Sequence, residues 1–247
     1  MFINALIGQI PFKAFCVFKG DMKMNNQKAD VRKLTVLAML TALAYVTVQV
    51  SALAFPIKIS GILSLEAKDC IIVIGAFLYG PISGVIMSVT VALLELVTFS
   101  TTGWIGMVMN IISSVMFVLP ASWIYKKKHT LKGALVGLLV GVLMMTGAMI
   151  LWNYLITPLY MRVERQMVVD MLLPVFLPFN LLKGGLNAAM ALVLYKAVSN
   201  VLRKTKLVTV EAPQSKVSQK VSATVVIVAI IVAVTLVMTA LVWSGII

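Results

Sequence analysis

The chain has 247 residues, 61% of them hydrophobic and 12% charged, with a mean hydropathy of +1.05 and a formal net charge of +13. That composition excludes an ordinary water-soluble globule, and the length leaves room for six or seven spans of about twenty residues but not for a separate soluble catalytic domain. The basic excess sits in loops at span ends, as membrane topology signals do, and so does not point to nucleic acid. Neither the two cysteines, Cys16 and Cys70, nor the single His129 shows the spacing of a disulfide framework or a metal site.

In chain order, residues 1–30 read as an N-terminal arm. Residues 1–21 lack a small-residue cleavage site and are broken by Pro11, which argues against a signal peptide. Translation is expected to begin at Met22 or Met24, leaving 1–21 as a misassigned start; an intact mass that includes them would contradict this. A first span is expected over 34–54, introduced by Arg32 and Lys33 and closed by Phe55 and Pro56. Two short helices, 70–79 and 82–99, follow around a tight turn at Gly80 and Pro81. Spans 104–125, 131–156 and 175–201 complete an all-α six-helix membrane domain over 31–205. A polar linker, 206–220, then leads to an additional C-terminal transmembrane helix over 221–247.

Most of the 21 lysines and arginines lie in the arm, around Lys126 to Lys132 and from Lys196 to Lys220. Lys58, Lys68, Arg162 and Arg165 stand on the other side. The excess of basic residues in cytoplasmic loops therefore places the N-terminus inside and the first-to-second, third-to-fourth and fifth-to-sixth connections outside.

Within the apolar spans a few polar residues call for a reason. The run FNLLKGGLNAA places Asn180, Lys183 and Asn187 at i, i+3 and i+7, on one narrow helix face, with Gly184 leaving room for close approach. An ammonium at membrane depth costs about 2.5–3.5 kcal/mol on insertion scales, so it faces a cavity, a partner or a pathway unless it snorkels to the surface. Lys183 lies roughly 12 Å of helical rise beyond Pro174, taken here to open the helix, and that depth favours a ligand.

Asn153 and Tyr154, in LWNYLITPLYM, stand at the outer end of the fifth span. For Tyr154 an interfacial aromatic belt with Trp152 and Tyr160 competes with a pocket role. The Asn153 amide offers donor and acceptor together, as the imide edge of a heterocycle requires. Asn110 could equally be interhelical glue, and Glu95 is read as a partner of Lys183 or of the fourth span. Glu66, Lys68 and Asp69, in SLEAKDC, are expected in a solvated loop at the outer mouth. Ala38 and Ala42 carry small-residue spacing that suits either internal packing or an external helix. No phosphate-binding Gly-Lys-Ser/Thr loop, HExxH helix or GxSxG elbow occurs, so nothing supports an enzyme.

From residue 34 to 201 the chain resembles the substrate-binding S components of energy-coupling factor (ECF) vitamin transporters, of the riboflavin-specific type. The resemblance is carried by Ala38 and Ala42, GAFLYGPISG, STTGWIGMVMN, LWNYLITPLYM and LLPVFLPFNLLKGGLNAA. It implies a six-helix bundle whose first helix meets a membrane-embedded coupling subunit through Ala38 and Ala42, with two cytoplasmic ATPases completing the transporter. It also implies that riboflavin, as transported ligand rather than cofactor, is held by Asn153, Asn180 and Lys183. Asn110, Glu95, Tyr154 and Asn187 are the further candidates for that pocket, and closure of the first-to-second connection is expected to gate it. The span 221–247 departs from the six-helix pattern. The alternatives are an S component for another vitamin, such as thiamine or pantothenate, an ion-coupled secondary transporter using Lys183 and Glu95 as a relay, and, last, a lipid-modifying enzyme.

Overall fold

A computed structural model describes residues 31–51, 65–98, 100 and 102–204. The arm, the gating connection over 52–64, the linker and the expected seventh span lie outside the described residues. What is described is all-α: α1 (Val31–Ser51), α2 (Lys68–Tyr79), α3 (Pro81–Thr98), α4 (Gly103–Lys128), α5 (Leu131–Met161), α6 (Arg165–Met171), a π-helical turn (Leu172–Phe176) and α7 (Leu177–Lys204). Among the described residues, five stretches are long and apolar enough to cross a membrane: Val31–Ser51, Pro81–Thr98, Gly103–Lys128, Lys132–Met161 and Arg165–Tyr195. Their outward faces carry exposed Ile82, Val97, Leu139, Leu143 and Leu159, which suits contact with lipid rather than water.

The short helix α2 is the centre of the bundle. All its residues from Lys68 to Phe77 are buried, as expected of a helix that is apolar all round and packed on every side. Its 12 residues rise only about 18 Å, against a hydrocarbon core of about 30 Å. One end of α2 must therefore stop inside the bundle.

The end that reaches the surface is marked by Gly80, whose φ of 97° suits glycine; Pro81 then opens α3 at the first helical position. This is the basic end of the molecule. There Phe77 stacks on Tyr125 at 4.4 Å between ring centroids, and the Lys33 ammonium lies 6.0 Å from the Tyr79 ring. The other end of α2, at Lys68, lies within the bundle.

Around α2, the inner face of α1 contributes Val36, Leu40, Ala44 and Val48 at four-residue spacing. Helices α4 and α5 cross closely, since a β-carbon on Gly137 would stand 2.6 Å from the Ala121 carbonyl oxygen. Between them His129 adopts a left-handed cap and Thr130 caps α5 by accepting from the Gly133 N–H at 3.0 Å.

Pro174 does not open the last helix. Helical structure already starts at Arg165, and Pro174 sits within the π-helical turn, where the wider bonding pattern accommodates its missing N–H. Lys183 is thus further along a helical segment than the sequence suggested.

Candidate functional site

Where α2 begins, a charged chain crosses the bundle. Lys68, only 2% exposed, places its ammonium 2.9 Å from Glu66 Oε2 and donates a hydrogen bond to Glu95 Oε1 on α3. The other Glu95 oxygen accepts from Asn110 Nδ2 on α4 at 2.7 Å. Glu66 Oε2 lies 3.5 Å from the Lys183 ammonium on α7, itself 6% exposed. Two ammonium groups thus alternate with two carboxylates, so the desolvation of each charge is offset by an opposite neighbour. Asp69 stands beside them in the first turn of α2, where the helix dipole favours an acid, and accepts from the Ser114 hydroxyl.

The sequence places Glu66, Lys68 and Asp69 in a solvated loop, and the structure corrects that. The cause is the length of α2: a 12-residue helix whose far end reaches the basic surface must begin within the bundle, taking its flanking charges with it. The signal was present in KDCIIVIGAFLY, an apolar run too short to cross a membrane with charges directly against its start. Glu95 likewise pairs with Lys68 and Asn110.

Asn187, fully buried, buckles the arrangement. Its Oδ1 accepts from the Cys70 N–H at 2.9 Å, and its Nδ2 donates to the Glu66 carbonyl at 2.8 Å and to the Lys183 carbonyl at 2.9 Å. No side chain local to α2 caps that helix, so Asn187 supplies the cap from α7. One amide therefore fixes both the residue that pairs with Lys183 and the start of the helix that carries Lys68.

On the facing helix α5, Asn153 is buried; its Nδ2 donates to the Met149 carbonyl at 2.7 Å and its Oδ1 accepts from Thr157 at 2.9 Å. On α7 the Asn180 Nδ2 donates to the Phe176 carbonyl at 2.7 Å, which leaves its Oδ1 with no acceptor role filled among the described residues. Each amide is held in a fixed rotamer by a carbonyl four residues back and keeps a further N–H or lone pair for another group. Beside Lys183, Gly184 lets α5 and α7 approach: a β-carbon there would lie 2.9 Å from Met145 Cε and 3.0 Å from Val142 Cγ1.

The structure thus brings together Glu95, Asn110, Lys183 and Asn187 through a continuous set of contacts, and places Asn153 and Asn180 on adjoining buried faces. Tyr154 stands apart. Its ring is exposed, with the Arg165 guanidinium 5.4 Å from its centroid. Ala38 and Ala42 lie on the exposed face of α1, away from the core.

The structure is that of a multi-pass helical membrane protein with a buried, charge-balanced polar cluster between its helices. The model for the family "ECF transporter, substrate-specific component" matches residues 32–195, and this chain belongs to that family. It is 29% identical over 192 residues to the riboflavin transporter RibU of Staphylococcus aureus, covering 75% of this chain and 98% of that one. It is 30% identical over 164 residues to the riboflavin transporter FmnP of Bacillus subtilis, covering 62% of this chain and 85% of that one. Among solved structures, the S component of a bacterial ECF transporter superposes with a TM-score of 0.58 at 27% identity, over 70% of this chain and 99% of that chain. The relatives are transporters, and this chain is no enzyme.

Proposed function

We propose that the chain binds riboflavin between α5 and α7 and mediates its uptake. The observation that carries this is the placement of Asn153, Asn180 and Lys183 as buried polar groups on two facing helices, in a chain whose relatives are named riboflavin transporters. Isoalloxazine presents an imide N–H between two carbonyls, which two amides and an ammonium complement. The ammonium has three donors, so Lys183 can keep Glu66 and still donate to a ligand carbonyl. Asn110 and Glu95 act one step back, by holding Lys68 and through it Glu66. Asn187 sets the height of the whole row.

The same reading makes the charged end the outer one and the N-terminus cytoplasmic, supported by the basic residues of the opposite end. Uptake then needs a coupling subunit and two cytoplasmic ATPases. The exposed small-residue face of α1, with Thr35, Ala38 and Ala42, is the surface offered to the coupling subunit. Titration of riboflavin into ligand-free purified protein, followed by flavin fluorescence, tests the binding step. Saturable quenching that thiamine and pantothenate fail to compete supports the reading, whereas competition by either vitamin reassigns the substrate.

A further inference from the structure

We infer that Thr146 is a further ligand-contacting residue, whose hydroxyl hydrogen-bonds an oxygen of the bound flavin at the inner floor of the pocket. The inference rests on the flavin reading above and deepens it. Thr146 is 4% exposed and its Oγ1 is a buried polar atom with no hydrogen-bond partner among the described residues.

The other threonines inside the described helices behave differently. Thr35, Thr41, Thr47, Thr90 and Thr98 each donate to the carbonyl four residues back, and Thr157 donates to Asn153. That local bond is the ordinary outlet for a threonine in a helix within a membrane, where no water can substitute. Thr146 forgoes it, and a buried hydroxyl left unpaired destabilises the protein unless something else meets it.

Its position says what that is. Thr146 precedes Asn153 by seven residues, so both lie on the same face of α5, separated by about 10 Å of rise. The close approach of Gly184 to Val142 and Met145 fixes the register of the two antiparallel helices. In that register Thr146 falls level with the stretch of α7 between Asn180 and Lys183. The hydroxyl thus completes a polar row from Asn153 at the outer end to Lys183 at the inner one, over a distance that suits a flavin with its ring carbonyls and side-chain hydroxyls. A hydroxyl can donate to a carbonyl or accept from an alcohol, and either oxygen satisfies it.

The test compares Thr146→Val, which keeps the shape and removes the hydroxyl, with Thr146→Ser, which keeps the hydroxyl. Thr146→Ala repeats the deletion without the added methyl. Riboflavin is titrated into each ligand-free protein, and thermal unfolding is recorded without ligand. The valine and alanine variants are expected to bind roughly tenfold more weakly, the serine variant within about twofold of the wild type. The ligand-free valine variant should unfold no earlier than the wild type, because it loses an unpaired polar group. Wild-type affinity in both deletions, or equal weakening by serine and valine, would overturn the inference. Failure of the wild type itself to bind riboflavin would overturn instead the flavin reading on which it rests.

Discussion

The row from Asn110 to Lys183 and the outward face of α1 are both unusual in a membrane bundle, and they are unusual in opposite ways. In the row, polar and charged side chains from four segments of the chain meet one another, all of them buried except the half-buried Asn110. On α1, Thr35, Ala38 and Ala42 are small, exposed and turned away from the core that Val36, Leu40, Ala44 and Val48 join. On the function proposed above, the contrast separates holding a ligand from engaging a partner. The first demands interior groups fixed by the fold, and the second demands a surface that the fold leaves unoccupied.

The sharpest way to test that separation is to damage one region and read the other. Replacing Ala42 by Phe is expected to abolish riboflavin uptake by cells carrying the complete transporter while leaving flavin titration of the purified chain unchanged. Loss of both would merge the two regions into one. Next in size is Lys68→Met, which takes from Glu95 its ion-pair partner and leaves Glu66 with only the more distant Lys183. Removing one partner of a buried ion pair costs about 3–5 kcal/mol, so the purified protein should show a large drop in its thermal unfolding temperature. An unchanged unfolding temperature would show that the buried charges are not coupled as their distances imply.

Lys183→Met is expected to be milder for the fold, because Glu66 retains Lys68, but it should weaken riboflavin binding by about 1–3 kcal/mol in the same titration. Wild-type affinity would remove Lys183 from the pocket. The smallest effect is predicted for Tyr154→Leu. An exposed ring resting on Arg165 should change affinity by no more than about 0.5 kcal/mol, and a tenfold loss would bring Tyr154 into the site.

Much of this was legible in the sequence, for physical reasons. Long apolar runs with basic ends announce spans, and Gly80 followed by Pro81 announces a turn; both rest on local chemistry. Asn153, Asn180 and Lys183 stood out because a polar group inside an apolar helix costs free energy wherever it points. The charges beside α2 were misread because their burial depends on a tertiary fact, namely which end of a 12-residue helix reaches the surface. Asn187 is on the same face as Asn180, but its bonds to Cys70 and Glu66 join residues more than a hundred positions away, and no periodicity encodes them. The start of the last helix was misplaced because Pro174 suggests a break, whereas a π-helical turn absorbs it.

We propose that this charge-balanced row and the amides beside it form a flavin pocket. The direct test is to purify the chain in detergent, strip any bound flavin, and titrate riboflavin while following its fluorescence. Saturable quenching at one riboflavin per chain, weakened in Lys183→Met, is the predicted result. Folded protein that leaves riboflavin fluorescence unchanged throughout the titration would contradict it.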